Sequence, residues 1–294
     1  MTNVLVLGSG GMLGSMVASV LAEGPELSVT ATAREPELPA HGFDAERDPV
    51  GDLLAGRDVE WIVNAIGVIK PRIDEADPAS VARATAVNAE FPYRLAEALE
   101  PGQRVIQIAT DCVFSGEASG YDEDAPHDPH DVYGKTKSLG EVPADEFVHL
   151  RCSIIGPERG EPRSLLGWML SQPRDGEVSG YTNHSWNGVT TLQFAKLCEA
   201  VIGGRAGDLP SPLHVIPGDT VTKAELLEIG LGAFDRGDVT VNPGPAPTVI
   251  DRTLSTKHPD SNRRLWAAAG YAEPPSVASM VAELAARVHQ PAVG

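Results

Sequence analysis

The first fourteen residues constrain the fold of this chain more than any other segment. Residues 3–7 (NVLVL) are a continuous apolar run, which is typical of a strand buried on both faces of a parallel sheet. Gly8, Gly11 and Gly14 follow, and a helical pattern then continues to Leu21. In such a turn the first glycine permits the bend, the second lets a pyrophosphate approach and the third allows close helix packing. A glycine-rich turn without a ligand is the alternative, but the strand–turn–helix setting favours a dinucleotide at the helix N terminus.

Strands and helices alternate through the first half of the chain. Further strands are predicted at residues 27–32, 61–66, 104–109 and 147–150, and helices at 79–99, 191–202 and 276–288. This alternation predicts an α/β fold with a Rossmann-like, doubly wound parallel sheet. We expect an NADP-binding Rossmann domain over residues 1–155 and mainly a smaller substrate-binding lobe over 156–294. The helix near 191–202 is expected to pack back on the sheet.

Composition excludes several classes of partner. The net charge of −18 repels nucleic acid and anionic membranes, so we expect to find neither as a partner. There is no run of 18 apolar residues, and the N terminus lacks the basic region of a secretory signal, so a cytoplasmic protein is expected. Cys112, Cys152 and Cys198 have no metal-ligand spacing, so no metal is expected.

The end of the second strand bears on the choice of cofactor. An acidic residue there usually binds the ribose hydroxyls of NAD, whereas an arginine accommodates the 2′-phosphate of NADP. The strand ends in Ala33-Arg34, which favours NADP(H). Glu35 is the next residue, and a shift of one position would place a carboxylate at the ribose. NAD(H) therefore stays open as the alternative.

A tyrosine and a lysine at helical spacing predict the catalytic pair. Tyr133 and Lys137 are four residues apart, hence on one face of a helix. A free phenol has a pKa of about 10, and a neighbouring ammonium favours its ionisation. The strand at 104–109 ends in Thr110-Asp111, at the sheet edge where ligands bind in such folds. The alternatives are an exposed tyrosine beside a solvated lysine, and a threonine that caps the strand.

Several motifs together resemble one enzyme superfamily. They are the glycine turn, ATDCVFSG at 109–116, YDEDAP at 121–126 and DVYGKTKSLGE at 131–141, with weaker similarity at YTNHSWNGVTT (181–191) and DRTLST (251–256). The set resembles the extended short-chain dehydrogenase/reductases. Within that superfamily it is similar to the dTDP-4-dehydrorhamnose reductase family and related reductases of 4-keto nucleotide sugars.

The resemblance implies roles for individual residues. The catalytic residues would be Thr110, Tyr133 and Lys137. The cofactor would contact Gly8, Gly11, Met12, Leu13, Gly14, Arg34, Asn64, Ala65, Ile66, Gly67, Lys137 and Cys152, while Asn88 would order the fourth helix. The substrate would contact Asp111, Val113, Trp186, Asn187 and Arg252. For Trp186 a packing role at a lobe interface is an equal alternative.

The activity that the resemblance implies is NADPH-dependent reduction of the 4-keto group of a nucleotide-linked 6-deoxy sugar, in nucleotide-sugar or polysaccharide biosynthesis. Lys137 would lower the pKa of Tyr133, Tyr133 would protonate the alkoxide, and Thr110 would polarise the carbonyl. A homodimer is compatible with the family.

Two departures leave the nucleotide open. Cys112 stands where the dTDP-rhamnose enzymes usually carry tyrosine, and WNGVTT stands where they usually have a G-x-P-T pattern. The WNG sequence is closer to relatives that act on other nucleotide sugars, including UDP-linked ones. A nucleotide-sugar epimerase on the same fold is one alternative, and a non-catalytic NADP-binding regulatory subunit is another. The intact tyrosine–lysine pair argues against the regulatory subunit, and the missing acid at Cys112 argues against a dehydratase.

Overall fold

The computed structural model describes residues 1–35, 41–158, 162 and 164–289. The strands in this part of the chain are β1 (Thr2–Leu7), β2 (Leu27–Ala33), β3 (His41–Gly42), β4 (Trp61–Asn64), β5 (Arg104–Ala109), β6 (Phe147–Arg151), β7 (Ile154–Ile155), β8 (Glu177–Tyr181), β9 (Ser185–Trp186), β10 (Val189–Thr190), β11 (Leu213–His214), β12 (Val221–Thr222) and β13 (Thr240–Gly244). The α-helices are α1 (Met12–Glu23), α2 (Val50–Leu54), α3 (Pro78–Thr85), α4 (Phe91–Ala98), α5 (Val132–Leu139), α6 (Leu165–Leu170), α7 (Thr191–Ile202), α8 (Lys223–Ala233), α9 (Pro259–Ala268) and α10 (Val277–His289).

The centre of the fold is a seven-stranded sheet in the order β11-β6-β5-β4-β1-β2-β3, and every neighbouring pair is parallel. The strand order reverses between β1 and β4, and in such sheets ligands bind at the carboxyl ends of the strands at that point. The apolar residues 4–7 of β1 are at most 1% exposed, as a strand covered by helices on both faces requires. The predicted Rossmann-like fold is confirmed.

The second half of the chain contributes to this sheet. Strand β11 pairs with β6, with Leu213 opposite Leu150, and α7 packs on α1. A single boundary at residue 155 therefore does not describe the structure, because the chain returns to the nucleotide-binding half after forming part of the other lobe. The short pairs β9–β12 and β8–β13 build the smaller lobe around α8, and the pair β7–β10 packs on α7. Residues 290–294 of the predicted lobe lie outside the described residues.

The helix predicted at 79–99 is divided into three pieces. A π-helical turn at Ala86–Glu90 separates α3 from α4. Pro92 is the second residue of α4, just after this turn, and it has no backbone N–H to donate to the residues before it. The turn directs Asn88 inward, where it is 2% exposed. An apolar pattern alone does not show such a change of helical pitch.

The hydrophobic core joins both halves of the chain. The larger cluster contains Val17 of α1, Phe194 of α7 and Leu284 of α10, all 0% exposed. A second cluster on the opposite face of the sheet includes Leu5 and Phe91. No helix in the described ranges is long and apolar enough to cross a membrane.

Candidate active site

The glycine turn forms an open cradle at the carboxyl end of β1. Gly8 has a φ of +82°, and the amides of Gly8 and Ser9 donate to the Thr32 carbonyl at 3.0 and 2.8 Å. A Cβ at Gly14 would overlap the Gly8 carbonyl oxygen, so only glycine allows α1 to start this close to the strand. No side chain caps α1 at Gly11, which leaves its first-turn amides available to an anion.

The segment after β4 lies beside this turn. A Cβ at Gly8 would stand 3.0 Å from Ile66 Cγ1 and 3.1 Å from the Ala65 carbonyl oxygen. Asn64, which we expected to contact the cofactor, is 1% exposed. Its Nδ2 donates to Gln107 Oε1 at 2.9 Å, and its Oδ1 accepts from the Ile66 amide at 3.1 Å. Asn64 therefore shapes the loop from within the sheet, and its side chain does not face the cleft.

A cavity of about 1000 Å³ lies beyond the end of β2. Its lining includes four arginines and four of the acids near them: Arg34, Arg47, Arg72, Arg83, Glu35, Asp44, Glu46 and Asp48. Four guanidinium groups around one cavity suit a phosphate, because arginine binds phosphate oxygens bidentately. Arg34 and Glu35 both line it, so the arrangement accommodates either cofactor. Sequence reasoning missed Arg47, Arg72 and Arg83, which the fold brings to Arg34 from distant segments.

Helix α5 carries the predicted catalytic pair. Its N-cap is Asp131, whose carboxylate accepts from the Gly134 amide at 2.7 Å. A Cβ at Gly134 would overlap the Cys112 carbonyl oxygen, so this glycine lets α5 rest against the end of β5. Tyr133 and Lys137 thus reach the sheet edge that also carries the glycine turn.

The phenol of Tyr133 is held in its neutral form. Burial is the main cause that raises the pKa of Tyr133, and Cys112 raises it further, while a hydrogen bond with Thr110 acts in the opposite direction. Thr110 is 8% exposed, and its Oγ1 lies 3.2 Å from Asp111 Oδ1. The structure therefore brings Thr110, Asp111 and Tyr133 together, as the motifs predicted.

Lys137 does not have the expected effect on the pKa of Tyr133. It is 8% exposed, and its ammonium donates to the Ile108 carbonyl at 2.9 Å. Burial lowers the pKa of Lys137 to about 8, although Glu141 opposes the shift. We expected this ammonium to lower the pKa of Tyr133, but burial dominates there and the pKa is raised. The lysine is anchored to the end of β5.

Asn88 connects the cofactor side of the cleft to α5. Its Oδ1 accepts from the Val68 amide at 2.8 Å, and its Nδ2 donates to the Val68 carbonyl at 3.0 Å and to Thr136 Oγ1 at 3.2 Å. The loop after β4 and the catalytic helix are therefore fixed to the same amide side chain.

Two cations of the smaller lobe face Asp111. Burial raises the pKa of the Asp111 carboxyl, and the charges of Lys223 and Arg252 oppose that shift. Arg252 Nε donates to the Phe114 carbonyl at 2.8 Å. The charge of Arg252 therefore acts on Asp111, and its predicted contact with the substrate stays a prediction. Lys223 was missed, because a lysine at the start of a helix carries no distinctive signal in one sequence.

Val113 and Cys152, expected at the substrate and the cofactor, have internal side chains. Val113 is 0% exposed and packs with Phe114, Tyr121 and Leu254. Cys152 is 2% exposed in the main core, and burial raises the pKa of its thiol. Val113 ends the 3-10 turn Asp111–Val113 that follows β5, and Cys152 directly follows β6, so both side chains are directed into the core.

The loop between β8 and α7 is built from packing contacts. Trp186 is 4% exposed, and its Nε1 donates to Ser153 Oγ at 2.9 Å. Asn187 is 7% exposed, its Nδ2 donates to the Leu254 carbonyl at 2.8 Å and its Oδ1 accepts from the Leu254 amide at 3.0 Å. The polar atoms of both side chains therefore make structural contacts, which favours the packing alternative for Trp186, and the expected substrate contacts stay predictions. Asn187 holds the segment that carries Arg252.

A buried charged cluster lies next to α5. Arg151 is 1% exposed, and its guanidinium meets His214 Nε2 at 2.8 Å, His127 Nε2 at 3.0 Å and the Glu141 carboxylate. Burial and the Arg151 charge lower the pKa of His214 to about 4. The cluster joins β6, β11 and the end of α5. Within the described ranges, no group of three or more His, Cys, Asp or Glu side chains is arranged to hold a metal.

The RmlD substrate binding domain model matches residues 1–155. A protein of Streptomyces antibioticus, named as a probable dTDP-4,6-dihydroxy-2-methyloxan-3-one 4-ketoreductase, is 35% identical over 140 residues. That match covers 47% of this chain and 44% of the relative, so it spans less than half the length of either protein.

Solved structures match nearly the whole chain. A dTDP-4-dehydrorhamnose reductase from Bacillus anthracis in complex with NADP superposes with a TM-score of 0.77 at 18% identity, covering 98% of this chain and 100% of that one. A UDP-glucuronic acid 4-epimerase from Bacillus cereus with UDP-glucuronic acid and NAD gives 0.71 at 14% identity, with the same coverage. These likenesses show a shared fold.

The matched family model covers more than half of the chain, including the glycine turn, Thr110, Tyr133 and Lys137. The chain therefore belongs to the RmlD substrate binding domain family, within the extended short-chain dehydrogenase/reductases.

Proposed function

We propose that this protein is an NADPH-dependent reductase of the 4-keto group of a nucleotide-linked 6-deoxy sugar. The observation that carries the proposal is the meeting of Thr110, Asp111 and Tyr133 at the carboxyl end of β5, on the sheet edge that holds the glycine turn. The names of the relatives support it, since the Streptomyces protein and the Bacillus anthracis structure are both named as reductases of this kind.

The chain has the features that a dinucleotide requires. The uncapped start of α1 offers amides to a pyrophosphate, and glycine at position 8 lets the turn pass close to Ala65 and Ile66. Arg34 and the arginines around it suit the 2′-phosphate at the far end of the cleft. When bound, NADPH would supply the hydride that reduces the carbonyl carbon.

The protein would supply the proton and the charge stabilisation. A reduction needs Tyr133 protonated, which is the form that burial favours. Tyr133 would donate its phenolic proton to the carbonyl oxygen as negative charge develops there, and Thr110 would donate a hydrogen bond to the same oxygen. Lys137, anchored on Ile108, would orient the ribose next to the reacting groups.

An epimerase is the second candidate, and one observation favours it. Glu35 lines the same cavity as Arg34, and a carboxylate at this place suits the NAD found with the Bacillus cereus epimerase. A regulatory subunit without activity would not need Tyr133 and Lys137 next to the cleft. The homodimer, the identity of the nucleotide and the cytoplasmic location stay predictions.

The test is to follow NADPH oxidation at 340 nm with a panel of 4-keto nucleotide sugars linked to dTDP or UDP. We expect turnover with at least one member and a lower rate with NADH. Interconversion of two 4-hydroxy nucleotide sugars without net NADPH consumption would favour the epimerase. Tight NADPH binding with neither reaction would contradict both activities and leave a binding protein.

A further inference from the structure

A short 3-10 helix contacts both the arginine-lined cavity and the catalytic helix. It spans Lys70–Arg72, in the segment between β4 and α3. Arg72 lines the cavity beyond β2, whereas Lys70 Nζ lies 2.6 Å from Oδ2 of Asp131, the N-cap of α5. We call residues 66–77 the strap, because this segment reaches from the cavity to the first turn of α5.

The two cations of the strap belong to one stiff turn. The Arg72 amide donates to the Ile69 carbonyl at 2.9 Å, and the Ile73 amide donates to the Lys70 carbonyl at 3.1 Å. Pro71 stands between Lys70 and Arg72, and its ring fixes the backbone φ. An anion that holds Arg72 therefore also restricts the turn from which Lys70 extends.

Helix α5 receives a second cap from the strap. Glu75 Oε1 accepts from the Val132 amide at 2.9 Å, across 57 positions of sequence. The Asp131 carboxylate, paired with the strap through Oδ2, accepts from the Gly134 amide at 2.7 Å through Oδ1. The first amides of a helix have no partner within it, so such acceptors decide how the first turn is held. Tyr133 lies in this turn, between the two capped amides.

Apolar contacts join the strap to α5 as well. Ile73 of the strap and Val132 of α5 both pack against one small buried cluster, which consists of Val68, Ala84 and Val87. This cluster is separate from the two larger cores of the sheet. A change in the position of the strap therefore reaches the start of α5 directly.

The Arg72 end of the strap is free to bind an anion. In the part of the chain that the structure describes, its guanidinium forms no hydrogen bond and no ion pair. By contrast, Arg83 of the same cavity pairs with Glu46 at 3.4 Å. Because a guanidinium binds phosphate oxygens bidentately, a phosphate in the cavity would engage Arg72 without displacing an acid from it.

We propose that the strap couples occupation of the arginine-lined cavity to the position of Tyr133, with Lys70 and Glu75 as positioning residues. The 2′-phosphate of NADPH at Arg72 would hold the 3-10 helix, and the contacts of Lys70 and Glu75 would then hold the first turn of α5. NADH has no 2′-phosphate and would leave this end of the strap unanchored. The inference rests on the proposed function for its cofactor, but its first readout needs no turnover.

Amide hydrogen exchange across residues 131–137, followed by mass spectrometry with saturating NADPH or NADH, tests the coupling, because the two cofactors differ only in the 2′-phosphate. In the wild type NADPH should slow exchange there roughly 2- to 5-fold more than NADH, the size of effect that one exposed ion pair gives. Lys70→Gln, Arg72→Gln and Glu75→Ala should each reduce this difference, and Lys70→Arg should keep it. Lys135→Gln is the matched control, since Lys135 is exposed on α5 and pairs with no acid of the described chain.

The comparison between the two cofactors separates coupling from a purely structural contact. Equal slowing by NADPH and NADH in the wild type would overturn the proposal, as would an unchanged difference in any of the three disrupting variants. A wild type that binds neither cofactor would overturn it together with the proposed function.

Turnover gives a second readout. With a 4-keto sugar that is reduced, the ratio of kcat at saturating NADPH to kcat at saturating NADH should fall towards 1 in Lys70→Gln, which a loss of stability alone would not cause. A ratio that stays at the wild-type value would contradict the positioning role. If the exchange difference is found and no 4-keto sugar is reduced, the proposed reaction fails and the coupling stands.

Discussion

The glycine turn at residues 8–14 and the segment at residues 250–257 both face the cleft, and they are built in opposite ways. The turn works through its backbone, with a positive φ at Gly8 and no cap on α1. The second segment brings one side chain, Arg252, and holds it by bonds to residues far away in the chain, such as Phe114, 138 positions earlier.

This difference explains which features a sequence can indicate. A turn whose function depends on local backbone geometry leaves its pattern in consecutive residues, so Gly8, Gly11 and Gly14 point to a dinucleotide cradle from sequence alone. A side chain held by distant partners leaves no such pattern. Asn187 and Trp186 therefore looked like substrate ligands, although their polar atoms bind Leu254 and Ser153.

The largest effect on activity is expected at Tyr133, on the nucleotide-binding side of the cleft. Tyr133→Phe removes the proposed proton donor and should lower turnover by about 100- to 10,000-fold, the range for losing a general acid. NADPH affinity should hardly change. Stopped-flow measurement of NADPH oxidation checks this, with Tyr93→Phe as the control, because Tyr93 is 44% exposed on α4. Near-normal turnover in the Tyr133→Phe variant would remove Tyr133 from the mechanism.

The packing role of Trp186 predicts the next effect. Trp186→Ala should lower the free energy of unfolding by about 3–5 kcal/mol, as for other buried large-to-small changes. Urea denaturation measures it, and Trp168→Ala is the control, since Trp168 is 40% exposed on α6. Unchanged stability with a raised KM for the sugar nucleotide would show instead that Trp186 contacts the substrate. The contrast between the two regions would then not hold.

The cluster around Arg151 should make stability depend on pH. His214 is 0% exposed and its pKa falls from 6.5 to about 4 on folding, so the unfolded chain binds the proton more readily. Stability from this group is complete above pH 6.5 and is lost as pH falls towards 4, by about 3 kcal/mol. His214→Gln should flatten the slope of unfolding free energy between pH 6.5 and 4, whereas the exposed His130→Gln should not. An unaltered slope in His214→Gln would contradict the assignment.

The smallest effect concerns the choice of cofactor. Arg34→Ala should weaken NADPH binding roughly 10- to 100-fold and spare NADH, because it removes hydrogen bonds to the charged 2′-phosphate. Fluorescence titration with both cofactors measures this, and Arg174→Ala serves as a surface control. If the wild type binds NADH as tightly as NADPH, Glu35 is the ribose ligand.

By itself the sequence determined the sheet, the glycine cradle and the pairing of Tyr133 with Lys137 on one helix. These features follow from the spacing of apolar residues, from turn chemistry and from helical spacing, all of which relate residues close together in the chain. The π-helical turn that divides the predicted helix at 79–99 already lay beyond such rules, because Asn88 turns inward to meet Val68 and Thr136.

Tertiary structure alone decided which polar side chains are free to act. Burial keeps Tyr133 protonated and ties Lys137 to Ile108, against the expectation of a lysine that lowers the phenol's pKa. Packing of the two halves of the chain also lets the charges of Lys223 and Arg252 act on Asp111, which lies more than 100 residues earlier in the chain. The physical reason is that desolvation and charge depend on every neighbour in space, and these neighbours are set only when distant segments pack together.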